Sequence, residues 1–107
     1  MKTYRTIELA VDFSQRLETL KLTGHLREQL LLAASAISLN LAEGDTMTSI
    51  HEKKRLYQKA YGSLKECQAI FRIARVNNND VLSHAAHLGN SLYQLNQVDL
   101  SVGEKMS

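Results

Sequence analysis

The amino-acid sequence predicts an all-α protein that folds as an antiparallel up-down-up-down four-helix bundle. Its 107 residues include no proline, and they are rich in leucine, alanine, lysine, glutamate and glutamine, a composition that favours helix over sheet. Apolar residues recur at three- and four-residue spacings in four segments, which short polar stretches separate. A chain of this length forms one domain, so we predict a single bundle over residues 1–107, with helices at about 6–22, 25–43, 50–76 and 80–100.

The first and fourth helices each carry one apolar face. In the first, this face runs from Leu9 to Leu20, and Gly24 is expected to close the helix in a left-handed conformation. In the fourth, apolar residues recur from Val81 to Leu95, and Asp80 is expected to cap the helix start. Each of these two helices therefore needs one covering, which is the interior of the bundle.

The second helix is apolar on two sides. Its main stripe runs from Leu26 to Leu41, and Leu32 and Leu39 lie roughly opposite, with Ala36 between them. A helix that is apolar on two sides must be covered on two sides. We therefore predict that Leu32 and Leu39 form the contact between subunits of a homo-oligomer.

The second helix ends in an unusual polar stretch, NLAEGD (40–45). Asn40 is expected to bond to backbone carbonyls or to the following loop, because a buried unsatisfied amide costs on the order of 1–3 kcal/mol. Gly44 is expected to supply a left-handed turn. A carboxylate at a helix C-terminus opposes the helix dipole, so Glu43 is expected to cap a neighbouring helix instead. Asn40, Glu43 and Gly44 are thus the predicted structural-turn residues.

The third helix begins with a capping box, in which Ser49 is followed three residues later by Glu52. Apolar residues from Tyr57 to Ala74 then alternate at three- and four-residue spacings, which is the pattern of a bundle seam. Gly62 interrupts this helix. Because a mid-helix glycine costs about 1 kcal/mol, we expect another helix to approach closely at Gly62.

Positive charge is concentrated in the third helix. The whole chain carries only +2, but the segment 50–76 holds seven lysines or arginines and two glutamates, so it carries +5 and the rest carries −3. Lys54, Lys65 and Arg72 lie within about 20° of one another around the helix, away from the core, with Tyr61 beside them. Such a row can follow a phosphate backbone, although it can also be an ordinary solvated face. The predicted nucleic-acid-binding residues are Lys54, Lys65, Arg72, Lys53, Arg55, Lys59 and Arg75.

Two stretches of the sequence carry a family resemblance: QLLLAASAISLNLAEG (29–44) and YQKAYGSLKE (57–66). In these stretches the chain resembles the four-helix bundle proteins called 23S rRNA intervening-sequence proteins. The residues that match the family pattern include Asn40, Glu43, Gly44, Gly62 and Ser63. The resemblance covers nearly the whole chain and implies that Asn40, Glu43 and Gly44 belong to a family turn. It also implies a ring-shaped homopentamer. Through the related accessory proteins of diversity-generating retroelements, it implies nucleic acid and a reverse transcriptase as partners.

No residue pattern indicates catalysis, so we predict neither an enzyme nor a cofactor. His84 and His87 have a spacing that can hold a metal, but the Glu-x-x-His pairs of bundle di-iron sites are missing, so no metal is predicted. Cys67 falls on the core seam, where a thiol behaves as a small apolar side chain. A single cysteine, the lack of a signal-peptide pattern and the lack of an apolar run of about 20 residues predict a cytoplasmic protein with no membrane span.

These features predict a non-catalytic accessory or scaffold protein. In this interpretation a homo-oligomer, pentameric by the resemblance, binds structured RNA or DNA through helix three, together with a protein partner such as a reverse transcriptase. The alternative is a structural or protein-interaction oligomer with no affinity for nucleic acid. This alternative is favoured by Leu32, which stands where family members usually carry an arginine.

Overall fold

The computed structural model describes the backbone of residues 2–106 and the side chains of residues 3–97. Within these residues it contains four α-helices and no strand. The helices are α1 (Lys2–Leu17), α2 (Gly24–Asp45), α3 (Ile50–Ile73) and α4 (Asn79–Met106). The predicted all-α four-helix bundle is confirmed.

Each helix packs against its neighbours along the chain, and α1 also packs against α4, so the four helices enclose one core. The hydroxyls of Thr6 and Ser91 lie 2.7 Å apart, and the guanidinium of Arg16 donates to Asp80 at 2.8 Å. Early residues of α1 thus meet late residues of α4, which is the order of antiparallel neighbours.

The core consists of the apolar faces that predicted the helices. Phe13 of α1 and Phe71 of α3 meet edge to face, with ring centroids 6.2 Å apart. Ile37 and Leu41 of α2 are fully buried beside them, as is the thiol of Cys67. Burial of apolar surface is the main stabilising term in a bundle of this size.

The first helix ends earlier than residue 22, the predicted end. After Leu17, the amides of residues 18–20 donate to carbonyl oxygens three residues back, a tighter pattern than that of an α-helix. Leu20 and Leu22 still pack against the core from the connecting segment, and this explains why their spacing resembled a helix. Gly24 is left-handed as expected (φ 62°), but it begins α2 instead of ending α1.

The third helix ends at Ile73, before the predicted residue 76. Arg75 takes a left-handed conformation (φ 56°), and the Val76 amide donates to the Phe71 carbonyl at 2.9 Å, which closes the helix with a Schellman turn. Asn78 then caps α4 by accepting a hydrogen bond from the Val81 amide at 3.1 Å. The prediction that Asp80 caps this helix is therefore wrong.

The start of the third helix agrees better with its prediction. The Ser49 hydroxyl accepts a hydrogen bond from the Glu52 amide at 3.4 Å, so Ser49 is the cap. The Glu52 carboxylate bonds to Arg55 at 2.8 Å, one turn further along the same helix. Half of the capping box is thus present.

The predicted left-handed turn at Gly44 is wrong, because Gly44 is a buried residue within the last turn of α2. A Cβ atom at this position would lie 2.8 Å from Cε1 of Tyr57 and 3.3 Å from Cβ of Leu56. Glycine is required there because α3 approaches α2 closely. Asn40 donates to the Ala36 carbonyl in its own helix at 2.8 Å, so backbone bonding is confirmed for its amide.

The expectation for Gly62 is also wrong. Gly62 is exposed in the middle of α3, and nothing lies within 4 Å of the position that a Cβ atom would occupy. The close approach that was expected at Gly62 occurs instead at Gly44. The packing of a single chain gives no reason for a glycine at residue 62.

Candidate nucleic-acid interface

The row of cations on α3 lies on the flank of that helix that faces α4. The side-chain amide of Asn96 donates to the Tyr57 carbonyl at 3.3 Å, and a Cβ atom on Gly89 would lie 3.2 Å from Leu64. These contacts show which flank of α3 meets α4. Lys65 and Arg72 are exposed on this flank, with Lys54 half-buried in the same row by helical spacing.

We call the depression between these helices the α3/α4 groove and define it by the residues that border it. Gln68, Arg72 and Leu82 line a small apolar pocket at one end of it, together with Arg75. By helical position the other members of these flanks are Lys54, Tyr61 and Lys65 on α3, and Gly89 and Tyr93 on α4.

Two tyrosines lie at the same level of the α3/α4 groove. Tyr61 lies between Tyr57 and Leu64, the α3 residues that contact α4. Tyr93 lies between the matching α4 residues, Gly89 and Asn96, and is 55% exposed. Exposed tyrosine rings can stack on bases or sugars.

Lys65 is held above one of these rings. Its Nζ atom lies 5.1 Å from the centroid of the Tyr61 ring, within the range of a cation–π interaction. Lys53 makes a longer contact of the same kind, with Nζ at 6.0 Å from the centroid of Tyr57. These contacts place ammonium groups beside the groove without neutralising their charge.

Carboxylates do not oppose this charge on the described part of α4. Between residues 79 and 97 the one acidic side chain is Asp80, and Arg16 of α1 binds it at 2.8 Å. His84 lies 3.5 Å from Asp80 and 3.6 Å from Asp12 in the same α1–α4 cluster. Asp80 is therefore engaged on the far side of the helix, and among the described residues of α4 no carboxylate borders the α3/α4 groove.

The structure divides the seven predicted cations into two sets. Lys54, Lys65 and Arg72 form the row beside the groove, and Lys53 and Arg75 lie near its two ends. Arg55 and Lys59 lie on the side of α3 that faces away from the bundle.

Arg55 is engaged with carboxylates on that outward side. Its guanidinium bonds to Glu52 at 2.8 Å. This hydrogen bond raises the pKa of Arg55, and the negative charge of Glu43 acts in the same direction. No hydrogen bond among the described residues reaches the Glu43 carboxylate, so the expectation that it caps a neighbouring helix is not met.

The predicted subunit contact remains an unpartnered apolar surface. Leu32 and Leu39 are 70% and 67% exposed, on the face of α2 opposite the buried residues. Ile73 on α3 is similarly exposed, at 68%, and the sequence pattern did not single it out.

Cys67 is not placed for nucleophilic chemistry. Its side chain is buried in the core, and desolvation raises the pKa of the thiol to about 12, with a smaller contribution from the charge of Glu66. Among the described residues, no three histidine, cysteine, aspartate or glutamate side chains are grouped to hold a metal. In the same part of the chain, no helix is both long and apolar enough to cross a membrane.

Sequence reasoning missed Tyr93 as a groove residue. The apolar spacing of α4 identified its buried face, but it could not show which flank of that helix packs on α3. The signal was present only indirectly, since Tyr93 lies four residues after a glycine, the residue that permits close helix packing.

Comparison with known proteins agrees with the observed fold and identifies a matching protein family. The model of the family described as 23S rRNA-intervening sequence protein matches residues 3–97. Among solved structures, the chain is similar to the crystal structure of a protein with unknown function from the S23 ribosomal protein family of Bacteroides thetaiotaomicron. The TM-score is 0.77 at 14% sequence identity, over 92% of this chain and 100% of the other, so the likeness shows a shared fold. A comparison with curated proteins gives no match.

Proposed function

We propose that this chain, which belongs to the 23S rRNA-intervening sequence protein family, is a non-catalytic accessory protein that assembles with itself and binds structured nucleic acid in the α3/α4 groove. A pentameric ring and a reverse-transcriptase-type partner are parts of this proposal that depend on the resemblance to ring-forming relatives. The printed sequence and the described side chains offer no catalytic constellation that would favour an enzyme instead.

The observation that carries the proposal is the row of cations beside the α3/α4 groove, which no carboxylate of the described part of α4 opposes. Lys54, Lys65 and Arg72 run along one flank of α3 for about 27 Å at 1.5 Å per residue, a length that spans several phosphates of a nucleic-acid strand. Tyr61 and Tyr93 add aromatic surface at the middle of this row. Cations that follow the backbone, with rings between them, are a common arrangement for binding nucleic acid.

Self-assembly is supported by the exposed leucines of α2. Two leucines that are each about two-thirds exposed on one helix face form an unusual surface for a small monomer. An assembly would also repeat the α3/α4 groove in every copy. Several weak phosphate-binding surfaces joined in one particle bind a long nucleic acid far more tightly than one surface does.

Structured RNA is the first ligand to test, because the family name refers to an intervening sequence of 23S rRNA. Fluorescence anisotropy of a labelled RNA hairpin, titrated with protein at several salt concentrations, measures the affinity and the number of phosphate contacts. The test variant is K54E/K65E, which reverses two charges of the row and leaves Arg72 in place. The matched control is R5E/K21E, which makes the same change of net charge at exposed residues of α1 and the α1–α2 connection.

We expect the K54E/K65E variant to bind RNA at least about tenfold more weakly than the control, with a salt dependence shallower by about two counterions. Native mass measured in parallel shows whether assembly is intact in both variants. Equal weakening in both variants would mean that only net charge matters and would contradict the α3/α4 groove as the site. No binding by the unaltered protein at low salt would leave the protein-interaction oligomer as the function.

A further inference from the structure

The outward side of α2 presents apolar residues framed by acids. Leu32 and Leu39 lie seven residues apart. An exposed glutamate lies about one turn outside this pair at each end: Glu28 precedes Leu32, and Glu43 follows Leu39. We call these four residues the leucine face. At 1.5 Å per residue its two leucines are about 10.5 Å apart along the helix.

The outward side of α3 presents the complementary pattern. Gly62 and Ala69 are exposed, lie seven residues apart, and are also about 10.5 Å apart along their helix. An exposed cation lies within one turn of each, Lys59 before Gly62 and Arg72 after Ala69. The exposed side chains of Lys65 and Glu66 lie between them and offset each other, so this side of the helix keeps a net positive charge. We call Lys59, Gly62, Ala69 and Arg72 the small-residue face. Beside it, Ile73 is 68% exposed and borders a shallow groove with Ala69 and Arg72.

We propose that the leucine face of one copy docks on the small-residue face of the next copy, head to tail. Each leucine would lie over a small residue, and at Gly62 the chain leaves the Cβ position without a neighbour within 4 Å. Each glutamate would meet a cation of opposite charge, and because both patterns are symmetric end to end, this match holds for either relative direction of the two helices. Burial of Leu32, Leu39 and Ile73 supplies the apolar centre of such an interface, with charges at its rim.

The charges also favour this head-to-tail contact over a contact between two identical faces. If two leucine faces paired with each other, Glu28 and Glu43 would face the glutamates of the second copy, which is unfavourable. If two small-residue faces paired, Lys59 and Arg72 would be opposed in the same way, and the exposed leucines would stay uncovered. A contact between two different surfaces produces a ring when the rotation between copies closes.

The exposed glycine has a reason in this arrangement. An internal helical glycine destabilises a helix relative to alanine, and Gly62 meets nothing within its own chain. A leucine from a second copy needs the space that a side chain on residue 62 would fill. The same argument accounts for the alanine at residue 69, about one turn after Lys65 on an otherwise charged surface.

This inference rests on the self-assembly part of the proposed function and deepens it, and its test is made without nucleic acid. Three variants are measured by native mass spectrometry and sedimentation velocity at matched concentrations. The first, E28K/E43K, makes both faces basic. The second, K59E/R72E, makes both faces acidic. The third combines all four substitutions and restores opposite charges with their positions exchanged.

We expect the two partial variants to assemble at least about tenfold more weakly than the unaltered protein, and the fourfold variant to recover the native mass. All substituted residues are exposed, so circular dichroism should show the same helix content in every variant. A fourth variant, G62L, should fold and remain a single copy, because its side chain occupies the docking space.

Different failures overturn different parts of the account. Unchanged assembly of the partial variants or of G62L overturns the docking of these two faces and leaves self-assembly intact. Failure of the fourfold variant to recover overturns the charge pairing. A mass of 12.0 kDa for the unaltered protein at every concentration overturns self-assembly itself. RNA binding is judged separately with K54E/K65E, which changes neither face.

Discussion

The inward and outward sides of the α2–α3 pair use the same residue types in opposite environments. On the inward side, Leu41 is fully buried and Gly44 lies against the ring of Tyr57. On the outward side, Leu39 is 67% exposed and Gly62 has no neighbour within 4 Å of a Cβ position. The packing of one chain explains Leu41 and Gly44, whereas Leu39 and Gly62 have no packing partner among the described residues.

This difference separates what a residue does for folding from what it does for assembly. A glycine that allows two helices of one chain to pack is needed for stability, and its replacement should be felt in the isolated protomer. A glycine that leaves space for another copy lowers the stability of the protomer and matters only in the assembled state. We therefore expect replacement of Gly44 and replacement of Gly62 to change the stability of the protomer in opposite directions.

The largest expected effect is the loss of stability in G44A. The new Cβ atom would lie 2.8 Å from Tyr57, whose side chain is buried and cannot move away freely, so we expect a loss of about 1–3 kcal/mol in the free energy of unfolding. G62A is the matched control. It should gain about 0.5–1 kcal/mol in the protomer, because alanine replaces glycine in an exposed helix.

Urea unfolding of both variants, at concentrations low enough to keep protomers apart, measures this difference. A loss of stability in G62A as large as that in G44A would show that residue 62 is packed within its own chain. The contrast between the inward and outward sides would then no longer stand.

A second prediction concerns the buried thiol on the inward side of α3. Burial raises the pKa of Cys67 from its ordinary value of 9.0 to about 12. The unfolded thiol therefore loses its proton before the folded one as pH rises, so stability is full below pH 9 and falls between pH 9 and about 12. The slope is up to about 1.4 kcal/mol per pH unit for one group.

Lysines and tyrosines also titrate in this range, so the measurement is a difference between two proteins. The free energy of unfolding of the unaltered protein, minus that of C67A, should fall by about 1 kcal/mol from pH 8 to pH 10. A constant difference would show that the thiol ionises as readily in the folded protein as in the unfolded chain.

The smallest expected effect is at Arg75, an exposed residue just after the end of α3. Its left-handed backbone (φ 56°) favours glycine, so R75G should raise the free energy of unfolding by about 1 kcal/mol. R75A keeps the left-handed strain, and we expect no such gain from it. If the two variants were equally stable, backbone conformation would not be the cause.

The fold was predictable from the sequence because its main signals are local. The spacing of apolar residues in each segment identified four helices and the buried face of each. The helix cap at Ser49 was recognisable from the sequence, because Glu52 follows it three residues later. The end of α1 was not recognisable, because Leu20 and Leu22 pack, partly buried, against the core from a non-helical segment and continue the apolar spacing.

The roles of the glycines were not predictable, since a glycine in a sequence does not show what lies opposite it. Gly44 was interpreted as a left-handed turn and Gly62 as a close approach, and only the packing of α2 against α3 reverses these roles. The candidate groove was half predictable. The cation row follows from helical spacing within α3, whereas Tyr93 joins it through the packing of α4.

The most direct test of the central claim is the mass of the unaltered protein in dilute solution, measured by sedimentation equilibrium. If the outward side of the α2–α3 pair is made for another copy, the mass will be a multiple of 12.0 kDa and will fall towards 12.0 kDa in L32E/L39E. A single species of 12.0 kDa at all concentrations would contradict the claim. The exposed leucines of α2 would then need a different partner.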